Sequence, residues 1–412
     1  MSVAAPHQAI PTLPATAPAP ASLAAADGRD RFVHVGLGWF HETPGGLERY
    51  QHGLCGELAR QGVTTEAWVA GDPGVGPTPP YEVRAFADAE APRSHKRAGL
   101  ARGLAASLEQ GGVVVTHHAA HAAMVRPLLG RKPHVVHFHG PWSLESRAAG
   151  ESFIRAGLKK RIERRVYRSA DRLVTLSDAF REVLVREYGV RRDRVRVVPG
   201  GIDAEAFDPG VDRAEARRRL GWEPDVPTLF TVRRLTPRMG LPTLIAAMPR
   251  LVRDYPRLRL YIGGRGSLRE QLEAQIASLG LRDRVELMGF VSAEKLPMAY
   301  AAANLSVVPT RELEGFGLVC LESLSAGTPV LVTPVGGLPE VVRGLDPKLV
   351  MGGADADNLA RGLGKALAHP ESLPTAEACR DYVRRRFDWS VIAGRVAEVY
   401  REAAAVHAGR RA

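Results

Sequence analysis

The chain has 412 residues, of which 45% are hydrophobic and 25% charged, and its formal net charge is +11. That length is too great for one hydrophobic core and indicates two domains, and the lack of any run of 18 apolar residues excludes a membrane-spanning helix. Three widely spaced cysteines argue against a disulfide scaffold or a thiolate zinc site and favour a cytoplasmic location. The positive charge suggests an anionic partner, which could be substrate phosphates, a membrane or nucleic acid.

Residues 1–30 are rich in Pro and Ala and lack the basic and apolar segments of a signal peptide, so we expect a disordered tail. Short apolar runs then alternate with helix-patterned stretches over residues 31–207. Strands are predicted at 31–36, 65–69, 113–116, 134–139, 173–176 and 195–198, and helices at 47–61, 152–168 and 178–188.

The alternation restarts after an Arg-rich segment at 208–225, which we interpret as the linker. Strands are predicted at 227–232, 258–263, 285–288, 305–308 and 329–333, and helices at 241–254, 267–279, 293–303 and 317–326. The similar rhythm of 31–207 and 226–386 predicts an α/β fold of two Rossmann-like domains that face each other across a cleft.

The first candidate site is the segment TRELEGFGLVCLESLSAGTPV at 310–330, which follows a predicted strand and enters a helix. Gly315 and Gly317 let the backbone approach a ligand, and the free N–H groups of the first helical turn favour a phosphate. Glu314 and Glu322 flank this position and are suited to hydroxyl groups, one of a ribose and one of a transferred sugar. The alternative is a Glu-rich loop with one solvated Glu, since a Glu pair at this spacing is common.

A basic loop with Arg233, Arg234 and Arg238 follows the strand predicted at 227–232. Ligands of open α/β sheets bind beyond the carboxyl ends of the strands, where guanidinium groups can bind a diphosphate. The alternative is surface charge, and we expect one of the three arginines to be uninvolved.

Histidines cluster after two predicted strands, at positions His117, His118, His121, His137 and His139. No carboxylate or cysteine stands at ligand spacing and no HExxH motif occurs, so we expect no metal site. We interpret one of these histidines as a hydrogen-bonding group in the cleft.

Two further motifs are weak when taken alone. Gly45 and Gly46, after the first strand, fit either a ligand loop or an ordinary tight turn. Asp355 and Asp357 resemble a DxD metal signature, but a helix-patterned run follows them, so we interpret the pair as a helix cap.

The stretch between Arg147 and Arg168 holds eight basic and two acidic residues. Its apolar positions fall on one helical stripe, which consists of Ile154, Leu158, Ile162 and Val166. Such a helix can lie peripherally on the anionic inner face of a membrane. The alternative, which we favour, is an ordinary helix whose stripe faces the sheet.

Taken in this order, the motifs resemble glycosyltransferase family four, a retaining family with the GT-B fold, over about residues 31–405. The segments that resemble it are GGLE at 45–48, HFHG at 137–140, TLS at 175–177, VPGGIDAEAF at 198–207 and RFDWS at 386–390. Glu314 and Glu322 match the E-x7-E motif, with EGFG and AGTPV intact beside it. The resemblance implies that a helix within 387–412 crosses back to the first domain.

The resemblance implies retaining transfer of a sugar from a nucleotide diphosphate sugar, without cofactor or essential metal, in cell-surface polysaccharide or glycoconjugate synthesis. The first domain would bind a glycan or lipid-linked acceptor and the second the donor. Glu314 would hold the donor sugar, Glu322 the ribose, and His139 would lie at the reacting centre. The other implied donor-binding residues are Gly45, Gly46, Gly315, Phe316, Gly317 and Leu318.

One position departs from the family, which usually has Arg-Leu-x-x-x-Lys-Gly, with Arg and Lys clamping the diphosphate. Arg234 fills the Arg position, but Met239 fills the Lys position. Arg238, one residue earlier, is the candidate for the missing charge.

Two alternatives on the same fold are a nucleotide-sugar epimerase and a glycan phosphorylase, and the E-x7-E context argues against both. A more distant alternative is a basic nucleic-acid-binding protein. Aromatic residues make up only 6% of the chain and fall mostly at core-like positions, which disfavours that function.

Overall fold

The structure is a computed structural model that describes residues 30–43, 45–130, 132–148 and 150–410. The predicted tail lies outside these residues except at its last position. Within the described ranges, no helix has the length and apolar character needed to cross a membrane. Cys55, Cys320 and Cys379 are buried free thiols.

The first domain contains a seven-stranded parallel sheet of order β3-β2-β1-β4-β5-β6-β7. Its elements are β1 (Arg31–Gly38), α1 (Gly46–Arg60), β2 (Thr64–Ala70), β3 (Glu82–Ala87), α2 (Arg93–Glu109), β4 (Val113–Thr116), α3 (Ala119–Val125), β5 (His134–Phe138), α4 (Trp142–Ala148), α5 (Phe153–Ser169), β6 (Arg172–Thr175), α6 (Asp178–Tyr188) and β7 (Val195–Val197). All six strands predicted here are confirmed. Strand β3 and helices α2, α3 and α4 were not predicted, and β3 gave little signal because it is an edge strand with mostly exposed side chains.

The second domain contains a five-stranded parallel sheet of order β10-β9-β8-β11-β12. Its elements are α7 (Arg213–Leu220), β8 (Thr228–Val232), α8 (Leu241–Asp254), β9 (Arg259–Gly263), α9 (Arg269–Ser278), β10 (Val285–Gly289), α10 (Leu296–Ala302), β11 (Leu305–Val308), α11 (Leu318–Ser325), β12 (Val330–Val332), α12 (Leu338–Val342), α13 (Ala356–Ala368) and α14 (Ala376–Phe387), and the chain continues into α15 (Trp389–Gly409). Asp355 caps α13 by accepting a hydrogen bond from the Asn358 N–H (2.8 Å), which confirms its interpretation as a helix cap.

The segment predicted as a linker contains α7, which packs against α10. Arg217 donates a hydrogen bond to the Ala302 carbonyl (2.9 Å), and Ala216 lies in the same apolar cluster as Trp222 and Tyr300. Helix α7 is therefore packed as part of the second domain.

Helix α15 crosses back to the first domain, as predicted. Tyr400 is fully buried there, where its hydroxyl is hydrogen-bonded to Nε2 of His137 (2.6 Å) and its ring packs edge-on against Phe32. Glu402 accepts a hydrogen bond from Arg172 of β6 (2.8 Å). Helix α15 thus completes the core of the first domain.

Candidate functional site

The strand order of each sheet reverses at one point, between β1 and β4 in the first domain and between β8 and β11 in the second. Ligands of open α/β sheets bind beyond the strand ends at such a point. Two ion pairs join the loops and helices that follow the strands of the two domains, Arg49 with Glu322 (2.8 Å) and Arg238 with Glu145 (3.6 Å). The candidate site is therefore the cleft between these two edges.

Glu314 lies in the loop between β11 and α11. Its Oε2 accepts hydrogen bonds from the Thr310 hydroxyl (3.1 Å) and from Nη2 of Arg233, while Oε1 has no hydrogen bond to any described residue. The Glu314 carbonyl accepts a hydrogen bond from the Gly337 N–H (3.0 Å), and a Cβ on Gly336 would lie 1.9 Å from the same oxygen. The main chain of Glu314 is thus held closely, and one carboxylate oxygen remains for a ligand.

Glu322 lies on α11 and is 6% exposed. Its Oε2 accepts a hydrogen bond from the Tyr300 hydroxyl (3.0 Å), and its Oε1 accepts one from Arg49 of the first domain (2.8 Å). Burial raises the pKa of Glu322, and the charge of Arg49 opposes that rise. Because each carboxylate oxygen can accept two hydrogen bonds, both still have capacity for ligand hydroxyl groups.

The adjacent residues Arg233 and Arg234, which follow β8, have opposite environments. Arg233 is 9% exposed, and its Nη2 contacts Glu314 and the Thr310 hydroxyl (2.8 Å). Arg234 is exposed, and its side chain has no hydrogen bond or ion pair with any described residue. Arg234 is therefore a cation open to an anionic ligand, and its role in binding a diphosphate stays a prediction.

Arg238 is engaged by the protein on two sides. Its Nη1 donates a hydrogen bond to the Leu313 carbonyl (2.7 Å), and its Nη2 lies 3.6 Å from Glu145 across the cleft. Burial lowers the pKa of Arg238, and the charge of Glu145 opposes this. Arg238 thus holds the loop that carries Glu314, and its role as a phosphate ligand stays a prediction.

The predicted glycine loop leads into α1. Gly45 is the N-cap of this helix, and a Cβ added to Gly46 would meet no atom within 4 Å, so the space beside Gly46 is open. The same first turn supplies Arg49, which reaches the second domain. The N-terminus of α1 therefore lies at the cleft.

The donor-binding residues predicted at the start of α11 differ in what they present. A Cβ on Gly315 would lie 2.5 Å from the ring of Phe180, so glycine permits the close approach of the two domains. Phe316 is 3% exposed and its side chain is part of the core, which leaves only its backbone for a ligand. Gly317 has φ +86° and caps α11, which begins at Leu318.

A chain of imidazoles extends from the buried His34 and His117 to the partly exposed His139 at the cleft. Nδ1 of His34 is 3.0 Å from Nε2 of His117, and Nδ1 of His117 is 3.3 Å from Nε2 of His139. Burial lowers the pKa of His139 to about 3, so it is a neutral hydrogen-bonding group at physiological pH. His34 was not among the predicted site residues, although a histidine within an apolar strand is a visible signal in the sequence.

Three of the predicted histidines could hold a metal ion. Nitrogen atoms of His117, His137 and His139 lie within 4.8 Å of one another, and the planes of these rings are within 29° of each other. Metal ligation needs in-plane lone pairs that converge, which nearly parallel rings do not favour. His118 caps α3, and His121 packs against the ring of Phe86. The absence of a functional metal stays a prediction.

The apolar stripe of α5 divides into two parts. Ile154 is 87% and Leu158 62% exposed, and the neighbouring Phe153 is 77% exposed. Ile162 is partly buried and Val166 is buried in the core. The alternative that we favoured from sequence is thus correct only for the second half of the helix, and the first half presents an exposed apolar cluster, Phe153, Ile154 and Leu158.

Two family models match the chain in succession. Residues 44–206 match the model described as Glycosyltransferase Family 4, and residues 212–386 match that described as Glycosyl transferases group 1. A D-inositol 3-phosphate glycosyltransferase from Acidothermus cellulolyticus is 36% identical over 251 residues, which is 58% of this chain and 55% of that protein. An uncharacterized glycosyltransferase from Methanocaldococcus jannaschii is 31% identical over 56% of this chain and 59% of its own. The matches thus span little more than half the length of these relatives.

Solved structures resemble nearly the whole chain. Sucrose-phosphate synthase from Thermosynechococcus elongatus has a TM-score of 0.77 at 24% identity, over 91% of this chain and 99% of that one. HepE from Anabaena, in complex with UDP, has a TM-score of 0.74 at 20% identity, over 90% of this chain and 100% of that one. At this identity the likeness shows the fold alone, and it confirms the predicted arrangement of two Rossmann-like domains in a GT-B fold.

Proposed function

Because the chain belongs to the glycosyltransferase family that these two family models describe, we propose that it transfers a sugar from a nucleotide diphosphate sugar to an acceptor hydroxyl, with retention at the anomeric carbon. The main support is the pair of carboxylates at the switch point of the second sheet, Glu314 with a free oxygen and Glu322 buried on α11. The complex of HepE with UDP shows that a protein of this fold binds a nucleoside diphosphate.

Each site residue has a role that its environment allows. Oε1 of Glu314 would accept hydroxyls of the donor sugar, and Glu322 would accept those of the ribose. The exposed guanidinium of Arg234 would bind the diphosphate, whose negative charge increases as the sugar departs. Neutral His139 would hydrogen-bond at the reacting centre. A departing phosphate stabilised in this way needs no carboxylate nucleophile, in contrast to the paired acids of retaining hydrolases.

The donor class is tested by thermal unfolding with UDP-, GDP-, ADP- and TDP-sugars. A ligand present at 100 times its Kd stabilises the folded state by about 2.7 kcal/mol, so the correct donor should raise Tm by several degrees. Glu322→Ala should weaken binding of the matching nucleoside diphosphate roughly tenfold, since ribose contacts are made in both ground and transition states. Glu371→Ala, which removes a carboxylate that is 72% exposed, is the control. If no nucleotide sugar shifts Tm, the proposed function is wrong.

Turnover experiments test the remaining parts of the proposal. The donor should stay unchanged without acceptor, whereas an epimerase would convert it. The anomeric configuration of the product, measured by NMR, should match that of the donor. A chelator should leave the rate intact, because Arg234 and the helix N-termini supply the positive charge that a metal would otherwise provide. Inhibition by chelator would direct attention to His117, His137 and His139.

We further propose that the apolar cluster of α5 contacts an anionic membrane on which a lipid-linked acceptor lies. Its three side chains are exposed, the exposed Arg155 follows Ile154 directly, and Arg147 lies over the ring of Phe153 (4.5 Å). Exposed apolar side chains surrounded by basic ones suit the interface of anionic lipid. Helix α4, which supplies Glu145 to the cleft, immediately precedes α5, so this contact would bring the cleft near the lipid headgroups.

A vesicle experiment tests the membrane contact. The protein should co-sediment with vesicles of phosphatidylglycerol and phosphatidylcholine, and binding should fall at least tenfold in the double variant Ile154→Glu/Leu158→Glu. Phe290→Glu, which changes a residue of the second domain that is 59% exposed, is the matched control. Equal binding by the double variant and the control would exclude this surface, as would equal binding to vesicles of phosphatidylcholine alone.

A further inference from the structure

Arg233 is a buried cation of the site that pairs directly with Glu314. It follows β8 at the switch point of the second sheet, is 9% exposed and contacts Glu314 through Nη2. Its charge also acts on the buried carboxylate of Glu322. Its hydrogen bonds all use Nη2, and neither Nη1 nor the buried Nε has a hydrogen-bond partner among the described residues. Nη1 is not fully enclosed, so its N–H groups are open to a ligand in the cleft.

The Arg233 guanidinium lies against Met239, which stands where the family usually has a lysine that clamps the diphosphate. Nη2 of Arg233 lies 2.9 Å from Sδ of Met239, and Met239 is 4% exposed. A lysine at position 239 has nearly the same length as methionine, so its ammonium would reach the space that the Arg233 guanidinium now fills. A cation at either position 233 or position 239 could therefore occupy the same space, and in this chain that cation is Arg233.

We propose that Arg233 binds the diphosphate of the donor, as the cation that position 239 lacks. This inference rests on the proposed function and adds a residue to its donor site. Arg238 is a weaker candidate because it is already bound to the Leu313 carbonyl and lies near Glu145. Arg234 is exposed and would bind the outer side of the diphosphate, while Arg233 binds it from within the protein.

The test is a charge-exchange experiment read by calorimetric titration with UDP, GDP, ADP and TDP, with the corresponding monophosphates and with the corresponding nucleotide sugars. Arg233→Met should weaken diphosphate binding at least tenfold and monophosphate binding less. Met239→Lys in the Arg233→Met background should restore most of the lost affinity. Met239→Lys alone should lower Tm, because it places an ammonium against a buried guanidinium. Arg253→Met, in the last turn of α8, removes the same charge from an exposed site at the far end of that helix and should change nothing.

A positioning role for Arg233, in which it only orients Glu314, gives a different pattern. Arg233→Met would then reduce the preference for the nucleotide sugar over the free diphosphate, with the ratio of diphosphate to monophosphate affinity unchanged, and the proposal would be overturned. An Arg233→Met/Met239→Lys variant no better than Arg233→Met would also overturn it. Arg233→Lys keeps a positive charge in place and should lose less diphosphate affinity than Arg233→Met. It is the variant to measure if Arg233→Met folds poorly. If the wild type binds none of the diphosphates, the proposed function itself fails.

Discussion

Glu314→Gln is expected to lower kcat/KM for sugar transfer by about 10²–10³-fold, or about 2.7–4 kcal/mol of transition-state stabilisation. The carboxylate accepts hydrogen bonds from Arg233 and Thr310 through one oxygen and has the other free. An amide supplies only one acceptor, and its NH₂ would either oppose the guanidinium or present donors to the sugar hydroxyls. The loss should appear in kcat more than in KM, because the interaction strengthens as the sugar departs.

The matched control for this variant is Glu312→Gln. Glu312 lies two residues earlier in the same loop and is exposed, without a side-chain hydrogen bond or ion pair to any described residue. Glu312→Gln should retain wild-type turnover, and both Glu312→Gln and Glu314→Gln should keep the wild-type circular dichroism spectrum. A Glu314→Gln enzyme with normal turnover would remove this residue from the site and leave its pairing with Arg233 as a structural feature.

Mild acid is expected to unfold the first domain selectively. Burial lowers the pKa of eight histidines there, His34, His52, His117, His118, His121, His134, His137 and His139. In the unfolded chain these groups titrate near pH 6.5. Below that pH the unfolded state binds more protons than the folded state, so the stability present above pH 6.5 is lost as the pH falls.

The size of this effect follows from the least exposed members of the group. His34, His117, His121, His134 and His137 are each at most 7% exposed. At pH 5.5 each would contribute about 1.4 kcal/mol to unfolding, and the five together about 7 kcal/mol, which is comparable with the whole stability of a domain. The second domain has one histidine, His369, in the range 226–386.

Fluorescence and near-UV circular dichroism between pH 7.5 and 4.5 provide the measurement. Trp39 and Trp68 report on the first domain and Trp222 on the second, so variants that retain one tryptophan each would separate the two transitions. His134→Gln should reduce the slope of Tm against pH, and His95→Gln, which removes an exposed imidazole, is the control. Transitions that coincide for all three tryptophans, or a first domain stable at pH 5, would contradict the prediction.

Local sequence was sufficient where a motif and its ligand-binding element are continuous in the chain. The segment from Glu314 to Glu322 is one loop and one helix, and the family resemblance that rested on it is confirmed by the two family matches. The strands were predicted well for the same reason, since a buried parallel strand is a short apolar run. The edge strand β3 lacks that signal and was missed.

Features that depend on distant parts of the chain could not be predicted in this way. Arg49 and Glu322 are 273 positions apart, and nothing near either residue indicates their ion pair. Three arginines within six positions gave no sign that Arg233 is buried and Arg234 exposed, because the path of the chain after β8 decides which one turns inward. The stripe of α5 appeared uniform in sequence, yet only its second half is covered by the core.

The return of α15 to the first domain has a consequence for the order of synthesis. Residues 31–207 form a complete sheet, but the surface around Phe32 and His137 stays uncovered until Tyr400 has been made. At about 5–20 residues per second, the roughly 200 intervening residues take about 10–40 s to translate. During that time the second domain can fold to completion while the first cannot. The nascent chain therefore carries an exposed apolar surface while these residues are made, and a ribosome that stalls before Tyr400 leaves the earlier-made domain as the unfinished one.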